Sequence, residues 1–271
     1  MLGSGFVRHL RAQGVGVHVW NRTPEKAQAL ASTGAMPYAD AADAARGAST
    51  VHICVRDGAA VDQVHDGALP GIAKGTPIVD HTTVEPRTVA PRAKRLADAG
   101  YPFLHAPVFM GPPQAESGQG TMLASGPRAL FDALDPQLAK MASKRQYLGE
   151  RVDAAAVYKL MGNLMILATV GGLRDLFALG AANGISPHDA YKLFDFYSPP
   201  GQIEGRGKRM AHGDFDAAWT MDMALKDARL MLDAANGKPL PVVDAVAGEL
   251  QEAISSGDSH LDLAAIAKRS A

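Results

Sequence analysis

Over the first 150 positions, short apolar runs with strand character alternate with longer stretches whose apolar residues recur at helical spacing. Met1-Leu2-Gly3-Ser4-Gly5-Phe6 reads as a glycine-entered helix running to about Gln13, followed by a turn at Gly14 and an apolar strand from Val15 to Trp20. Thr23-Pro24-Glu25 then sets a hydroxyl at the N-cap and proline at the first helical position of the next helix. Val51 to Val55 reads as a strand that stops at Arg56-Asp57-Gly58, where Asp57 is placed to cap another helix. Pro77 to Asp80 is a further short strand, followed by Thr82-Thr83 and a helix from about Pro86 to Ala99. Such alternation of the two periods favours a parallel sheet with helices on both faces.

The texture changes between Phe103 and Tyr147 to Pro/Gly-rich loops around two short strands, His105 to Val108 and Thr121 to Ala124, and a helix near Ala129 to Ala142. Beyond Asp153 strand signals fade, and Ala154 to Ala182 is apolar at helical spacing over a length of roughly 45 Å if continuous. Helices are expected at about Pro187 to Phe196, Met221 to Ala235, Pro241 to Ser255 and Leu263 to Ser270. The pattern predicts a nucleotide-binding α/β domain over residues 1–150 and an all-helical domain over 151–271, entered by a long interdomain helix. No repeat of solenoid period is present.

Composition narrows the partners. The net charge of −1, with basic residues interspersed among acids, gives no long-range attraction to a phosphate backbone, so no nucleic-acid partner is expected. Cys54 is the single cysteine, which excludes a disulfide or a cysteine metal site within one chain. The start lacks a basic and apolar leader, and no run reaches 18 uninterrupted apolar residues, so the expectation is a cytoplasmic protein without a membrane partner. Nine scattered histidines, with no HxxxH pair among His9, His18, His52 and His65, predict structural or surface roles and no metal.

The candidate chemistry lies at four places. The opening segment matches the end of a dinucleotide fingerprint, with Gly3 as its third glycine, and the reading places the first strand and two glycines upstream of Met1. Without them a central strand is absent and two strand edges are unpaired, an aggregation hazard. Asn21-Arg22-Thr23 falls where such domains read the adenosine ribose; Arg22 suits a 2′-phosphate and so favours NADP over NAD, although a solvated loop arginine fits the same position. Lys159 is the only charge between Ala154 and Leu167, and Asn163 shares its helix face. A lysine desolvated there is suited to exchange protons near neutral pH, though a lysine snorkelling from a core helix has the same pattern. Lys226-Asp227 reads equally as a surface ion pair, and the loop His105 to Gly111 as either an anion-presenting or a hydrophobic loop.

In this order the segments resemble the β-hydroxyacid dehydrogenase family, which includes 3-hydroxyisobutyrate dehydrogenase and glyoxylate/succinic semialdehyde reductases and has 6-phosphogluconate dehydrogenase as a more distant relative. Five motifs carry the resemblance, which covers almost the whole chain: Met1-Leu2-Gly3-Ser4, Asn21-Arg22-Thr23, Val55-Arg56 with Asp80-His81-Thr82-Thr83, Lys159-Leu160-Met161-Gly162-Asn163, and Lys226-Asp227. The resemblance implies a Rossmann-like doubly wound sheet followed by the helical domain. It implies an oxidoreductase moving hydride between NADP, or NAD, and the CH–OH or carbonyl group of a small hydroxy acid or aldehyde acid. In it Lys159 is the catalytic acid/base and Asn163 a substrate hydrogen-bonder; Gly3, Asn21, Arg22, Thr23, Val55, Arg56, Thr83 and Lys226 serve the dinucleotide. The family's substrate loop, Asp-Ala-Pro-Val-Ser-Gly-Gly, supports a carboxylate through its Ser-Gly-Gly. Here His105 replaces the aspartate and Phe109-Met110-Gly111 the triplet, while Gly162 replaces an asparagine.

Relatives that reduce imines usually lack the lysine, so Lys159 favours carbonyl and alcohol chemistry. The altered loop also motivates a competing expectation, a dinucleotide-binding scaffold or sensor with impaired catalysis. Apolar surface on the Met-rich helical half, around Met161, Met165, Met221 and Met223, predicts a homodimer or higher homo-oligomer.

Overall fold

The computed structural model describes residues 2–270, which divide into two units, Met1–Asn163 and Leu164–Ala271. In the first, α1 (Leu2–Ala12) leads to β1 (His18–Trp20), α2 (Pro24–Gln28), β2 (Met36–Tyr38), α3 (Ala41–Ala45), β3 (Val51–Ile53), α4 (Gly58–Ala68), β4 (Ile78–Asp80) and α5 (Val89–Asp98). It continues through β5 (Phe103–His105), β6 (Val108–Phe109), α6 (Pro112–Ser117), β7 (Thr121–Ala124), α7 (Arg128–Leu138) and β8 (Lys144–Tyr147) into the first turns of α8 (Ala154–Ala182).

Parallel pairing joins β1 to β2, and β3 to β4 to β5. A third sheet sets β6 antiparallel to β7 and β8 parallel to β7; an antiparallel bridge between His105 and Ser125 stitches it to the second. Among the described residues β1 pairs only with β2, so the ladder is interrupted between β1 and β3. Strand β4 carries three buried residues because both its neighbours are strands and helices cover its faces. Packing of α1 on α6 depends on Gly5: a Cβ there would lie 2.9 Å from Ala115 Cβ and 3.0 Å from the Pro112 carbonyl oxygen.

Several boundaries differ from the sequence pattern for local reasons. The first strand begins at His18 rather than Val15, because Val15 N–H closes the end of α1 on the Leu10 carbonyl while Gly14 takes a φ of 77°. The hydroxyl of Thr23 does not cap α2; Asn21 Oδ1 instead accepts the Thr23 N–H at 2.9 Å. Asp57 does cap α4, accepting from Ala60 N–H at 2.9 Å. The run His105 to Val108 is split between β5 and β6: Ala106 N–H makes the last β5–β4 ladder bond, to the Asp80 carbonyl at 2.7 Å, and Val108 opens the pairing with β7.

The second unit is helical: the remainder of α8, then α9 (Pro187–Tyr191), α10 (Pro200–Gln202), α11 (Lys208–His212), α12 (Met221–Ala234), α13 (Pro241–Ala253) and a 3₁₀ segment Leu263–Ser270. Its core is Met221, Ala224, Leu225 and Ala228 of α12 against Ala247, Leu250 and Ala253 of α13. Two buried carboxylates tie its backbone. Asp175 of α8 accepts the Val242 and Val243 N–H groups at the start of α13, and Asp262 accepts those of Ala218, Trp219 and Ala264. Much apolar surface stays uncovered, including Phe196 at 81 % exposure and Leu167 at 73 %. By length and composition alone α8 is long and apolar enough to cross a membrane.

Candidate active site

The carboxyl ends of β1 and β3 and the start of α1 gather the residues expected to hold a dinucleotide. Gly3 sits against Cys54, where a Cβ would meet the cysteine's Cβ at 3.6 Å, an ordinary contact; Gly5 is the sterically demanded glycine of this helix. Beyond Cys54, Val55 N–H donates to Thr82 Oγ1 at 3.2 Å, and Thr82 N–H donates to Asp80 Oδ1 at 2.8 Å. The β3 and β4 loops are thereby locked together, with Thr83 half-buried beside them. Arg22 is exposed, as is Arg56, whose guanidinium bonds Asp57 at 2.9 Å. Both positive charges hold the Asp57 carboxyl below its usual range, after the larger effects of the Ala60 N–H and the Arg56 hydrogen bond, so Arg22 and Arg56 share one patch.

This donor set fits a dinucleotide. The first N–H groups of the 11-residue α1 have no partner within the helix, which favours an anion such as a pyrophosphate there, although that of Gly3 bonds the Cys54 sulfur; Asn21, Arg22 and Thr23 offer amide, guanidinium and hydroxyl donors for a ribose phosphate. Lys226 lies in the second unit on α12, exposed and paired with Asp227 at 3.0 Å.

Lys159 and Asn163 stand one turn apart on α8, both half-buried. Burial lowers the lysine's pKa from its ordinary value of 10.5. Its ammonium also lies 4.2 Å from the centroid of the Phe109 ring, a cation–π contact that favours the charged form. The same ring points at the helix backbone: a Cβ on Gly162 would come within 2.2 Å of Phe109 Cζ and 2.5 Å of Cε1. In the adjoining loop Gly111 N–H is taken by Gln114 Oε1 at 2.9 Å, and Met110 packs over Gly120. Sequence reasoning named Phe109 and Gly162 separately but missed that they interlock. Thr82, which bonds Val55, was also missed; its place after a buried strand-end aspartate was the available signal.

Behind these loops lies a partly buried polar cluster. His81 Nδ1–H donates to the Ala106 carbonyl at 2.7 Å, so its Nε2 accepts from His52 Nδ1–H at 3.0 Å. His52 Nε2 in turn accepts from the Gln137 amide at 3.0 Å, and Gln137 Oε1 from the Thr50 hydroxyl at 2.9 Å. Burial drives the pKa of His52 to about 3 and that of His81 to about 4. His105, with no exposed surface, falls to about 3; its Nδ1 lies 4.0 Å from Asp80 Oδ2, and burial raises that carboxyl to about 6. Among the described residues no group of three or more His, Cys, Asp or Glu side chains is arranged to hold a metal ion.

A nucleotide-binding α/β unit with a polar strand-end edge and a helix carrying Lys159 and Asn163 defines an NAD(P)-dependent oxidoreductase, and the comparisons agree. Residues 1–149 match the family model described as the NAD-binding domain of 6-phosphogluconate dehydrogenase. An uncharacterized oxidoreductase of Shewanella frigidimarina is 31 % identical over 93 % of this chain and 89 % of its own length. The L-threonate dehydrogenase of Cupriavidus necator is 27 % identical over 98 % of this chain and 92 % of its own. A Pseudomonas imine reductase superposes with a TM-score of 0.89 at 26 % identity, covering 99 % of this chain and 96 % of the other. The chain belongs to the β-hydroxyacid dehydrogenase family, with the NAD-binding domain of 6-phosphogluconate dehydrogenase.

Proposed function

We propose that this enzyme uses NADP in preference to NAD and moves hydride between the nicotinamide and the CH–OH or carbonyl carbon of a small substrate, with Lys159 as acid/base. Short hydroxy acids and aldehyde acids are the starting class, because L-threonate names one relative's substrate. The observation that carries the proposal is Lys159 itself: half-buried, lowered in pKa by desolvation, and one helical turn from Asn163. When bound, the dinucleotide supplies the hydride-carrying carbon. In oxidation, neutral Lys159 accepts the hydroxyl proton at Nζ while Asn163 orients the oxygen; in reduction the ammonium returns that proton. Arg22 and Arg56 give a 2′-phosphate two cationic partners, and Asp57 by contrast opposes an added phosphate.

The test is NADPH oxidation with short semialdehydes and glyoxylate, and NADP reduction with short hydroxy acids. Turnover supports an enzyme; tight NADPH binding with no turnover on any compound supports the scaffold or sensor. Arg22→Ala is expected to weaken NADPH about 10-fold or more while leaving NADH binding within about 2-fold, on the scale of a lost charge-assisted bidentate contact. Equal losses for both nucleotides would remove the NADP preference.

The exposed apolar residues of α8 and the helical unit support a second copy of this chain as their cover. Lys159, Arg174 and the buried, N–H-capping Asp175 make α8 a poor bilayer span despite its length. A dimer or larger is expected by sedimentation at micromolar concentration, and a monomer there would refute it.

A further inference from the structure

We infer that this enzyme's substrate carries an uncharged, flat apolar substituent beside its reacting carbonyl or carbinol carbon, recognised by Phe109, in place of the carboxylate that the family's substrate loop supports. The inference rests on the proposed reaction and names the substrate class of that same site. Three contacts carry it. The Phe109 ring edge fills the volume that any side chain at position 162 would need, since a Cβ there would lie 2.2 Å from Phe109 Cζ. Real Cβ atoms do not approach that closely, so Phe109 and Gly162 are a reciprocal pair: one large residue requires the other to be glycine.

The ring also lies against Lys159, its centroid 4.2 Å from Nζ, so a molecule reaching the proton-exchanging atom passes an aromatic surface. Finally, two donors that a carboxylate would use are absent or committed. Position 109 has no hydroxyl, and Gly111 N–H is bound to Gln114 Oε1 at 2.9 Å. A carboxylate against the Phe109 ring exchanges its hydration for an apolar wall and must share Lys159 and Asn163 with the reacting oxygen, whereas a planar apolar group gains by stacking. A single methylene in an apolar site typically changes preference about 10- to 200-fold.

The deciding measurement is calorimetric titration of the NADPH-saturated protein with two unreactive probes, benzamide and malonate. Wild type is expected to bind benzamide at least about 10-fold more tightly than malonate. Phe109→Ser is expected to bring that ratio down by about 10-fold or more, and Phe109→Leu, which keeps an apolar filler, to hold it within about 3-fold. Gly162→Ala should mimic Phe109→Ser by displacing the ring. Tighter binding of malonate by wild type, or a ratio unmoved by Phe109→Ser in a protein that still binds NADPH, overturns the inference. Parallel turnover of phenylacetaldehyde and succinic semialdehyde keeps the two proposals apart. Benzamide preference with no turnover of either aldehyde refutes the hydride-transfer reading while the pocket stands; turnover confined to succinic semialdehyde refutes the pocket while hydride transfer stands.

Discussion

Lys159→Ala is expected to lower kcat by about 10² to 10⁴-fold, or about 3 to 5 kcal/mol of transition-state stabilisation, while NADPH binding changes by less than about 3-fold. The large effect follows from the proposed role of Lys159 as the proton partner of the reacting oxygen. The small one follows from position, because the dinucleotide edge is built from α1 and the strand-end loops, whereas the lysine sits on α8. Lysine is the right residue only if it loses its proton within reach of working pH, and burial moves it that way, down from 10.5. Phe109 opposes the shift by favouring the ammonium, so burial and the aromatic ring act on the lysine in opposite directions.

The sign of the pH profile follows. Alcohol oxidation needs neutral Lys159 and should rise as pH climbs through its depressed pKa; carbonyl reduction needs the ammonium and should fall over the same range. Both limbs should be absent from Lys159→Ala, and Lys159→Arg should not restore rate because guanidinium does not deprotonate. Stopped-flow absorbance at 340 nm, run against pH in both directions, checks this; an unchanged profile in the alanine variant would falsify the assignment.

The second large effect is on stability in mild acid. His52, His65, His81 and His105 have folded-state pKa values of about 3, 4, 4 and 3, all lowered first by burial from 6.5. A histidine held neutral in the fold contributes stability that is complete above pH 6.5 and is lost as pH falls toward its folded value, because the unfolded chain takes up the proton first. Asp80 works the other way: raised to about 6 from 3.8, it favours the fold more as pH drops through that interval. Near pH 5 four protons bind on unfolding and one is released, so three net protons give a slope of about 4 kcal/mol per pH unit. That is a large share of the roughly 5 to 15 kcal/mol typical of a domain. Urea unfolding at pH 7.5, 6.0 and 5.0 should show a midpoint that collapses across the series, and a flat one would mean that these rings are hydrated in the native protein.

Most of the architecture could be read from periodicity and punctuation. The α8 limits, Ala154–Ala182, and the β7 limits, Thr121–Ala124, coincide with the pattern because long apolar periodicity and short apolar runs are its strongest signals. Strand β8 was invisible since Lys-Arg-Gln-Tyr has no apolar character, and β2 since Pro37 interrupts it; both are held by pairing to a neighbour, a non-local cause. In the candidate site the shared helix face of Lys159 and Asn163 followed from their spacing, and the interlocking of Phe109 with Gly162 did not. That Gly162 is empty so that Phe109 can enter depends on the chain returning over about 50 residues, which no local motif records.

The series Thr50, Gln137, His52, His81, Ala106 hands every proton in one direction. A carbonyl at its end cannot donate, so no link can turn round without breaking the last, and both imidazoles are confined to a single tautomer with no charge nearby to enforce it. Polarity of this kind makes His81 a spent acceptor and a spent donor. The protein has thus placed aromatic nitrogen beside its strand-end loops while withdrawing it from proton traffic, which leaves the proposed exchange of protons with substrate to an amine whose basicity can be tuned independently.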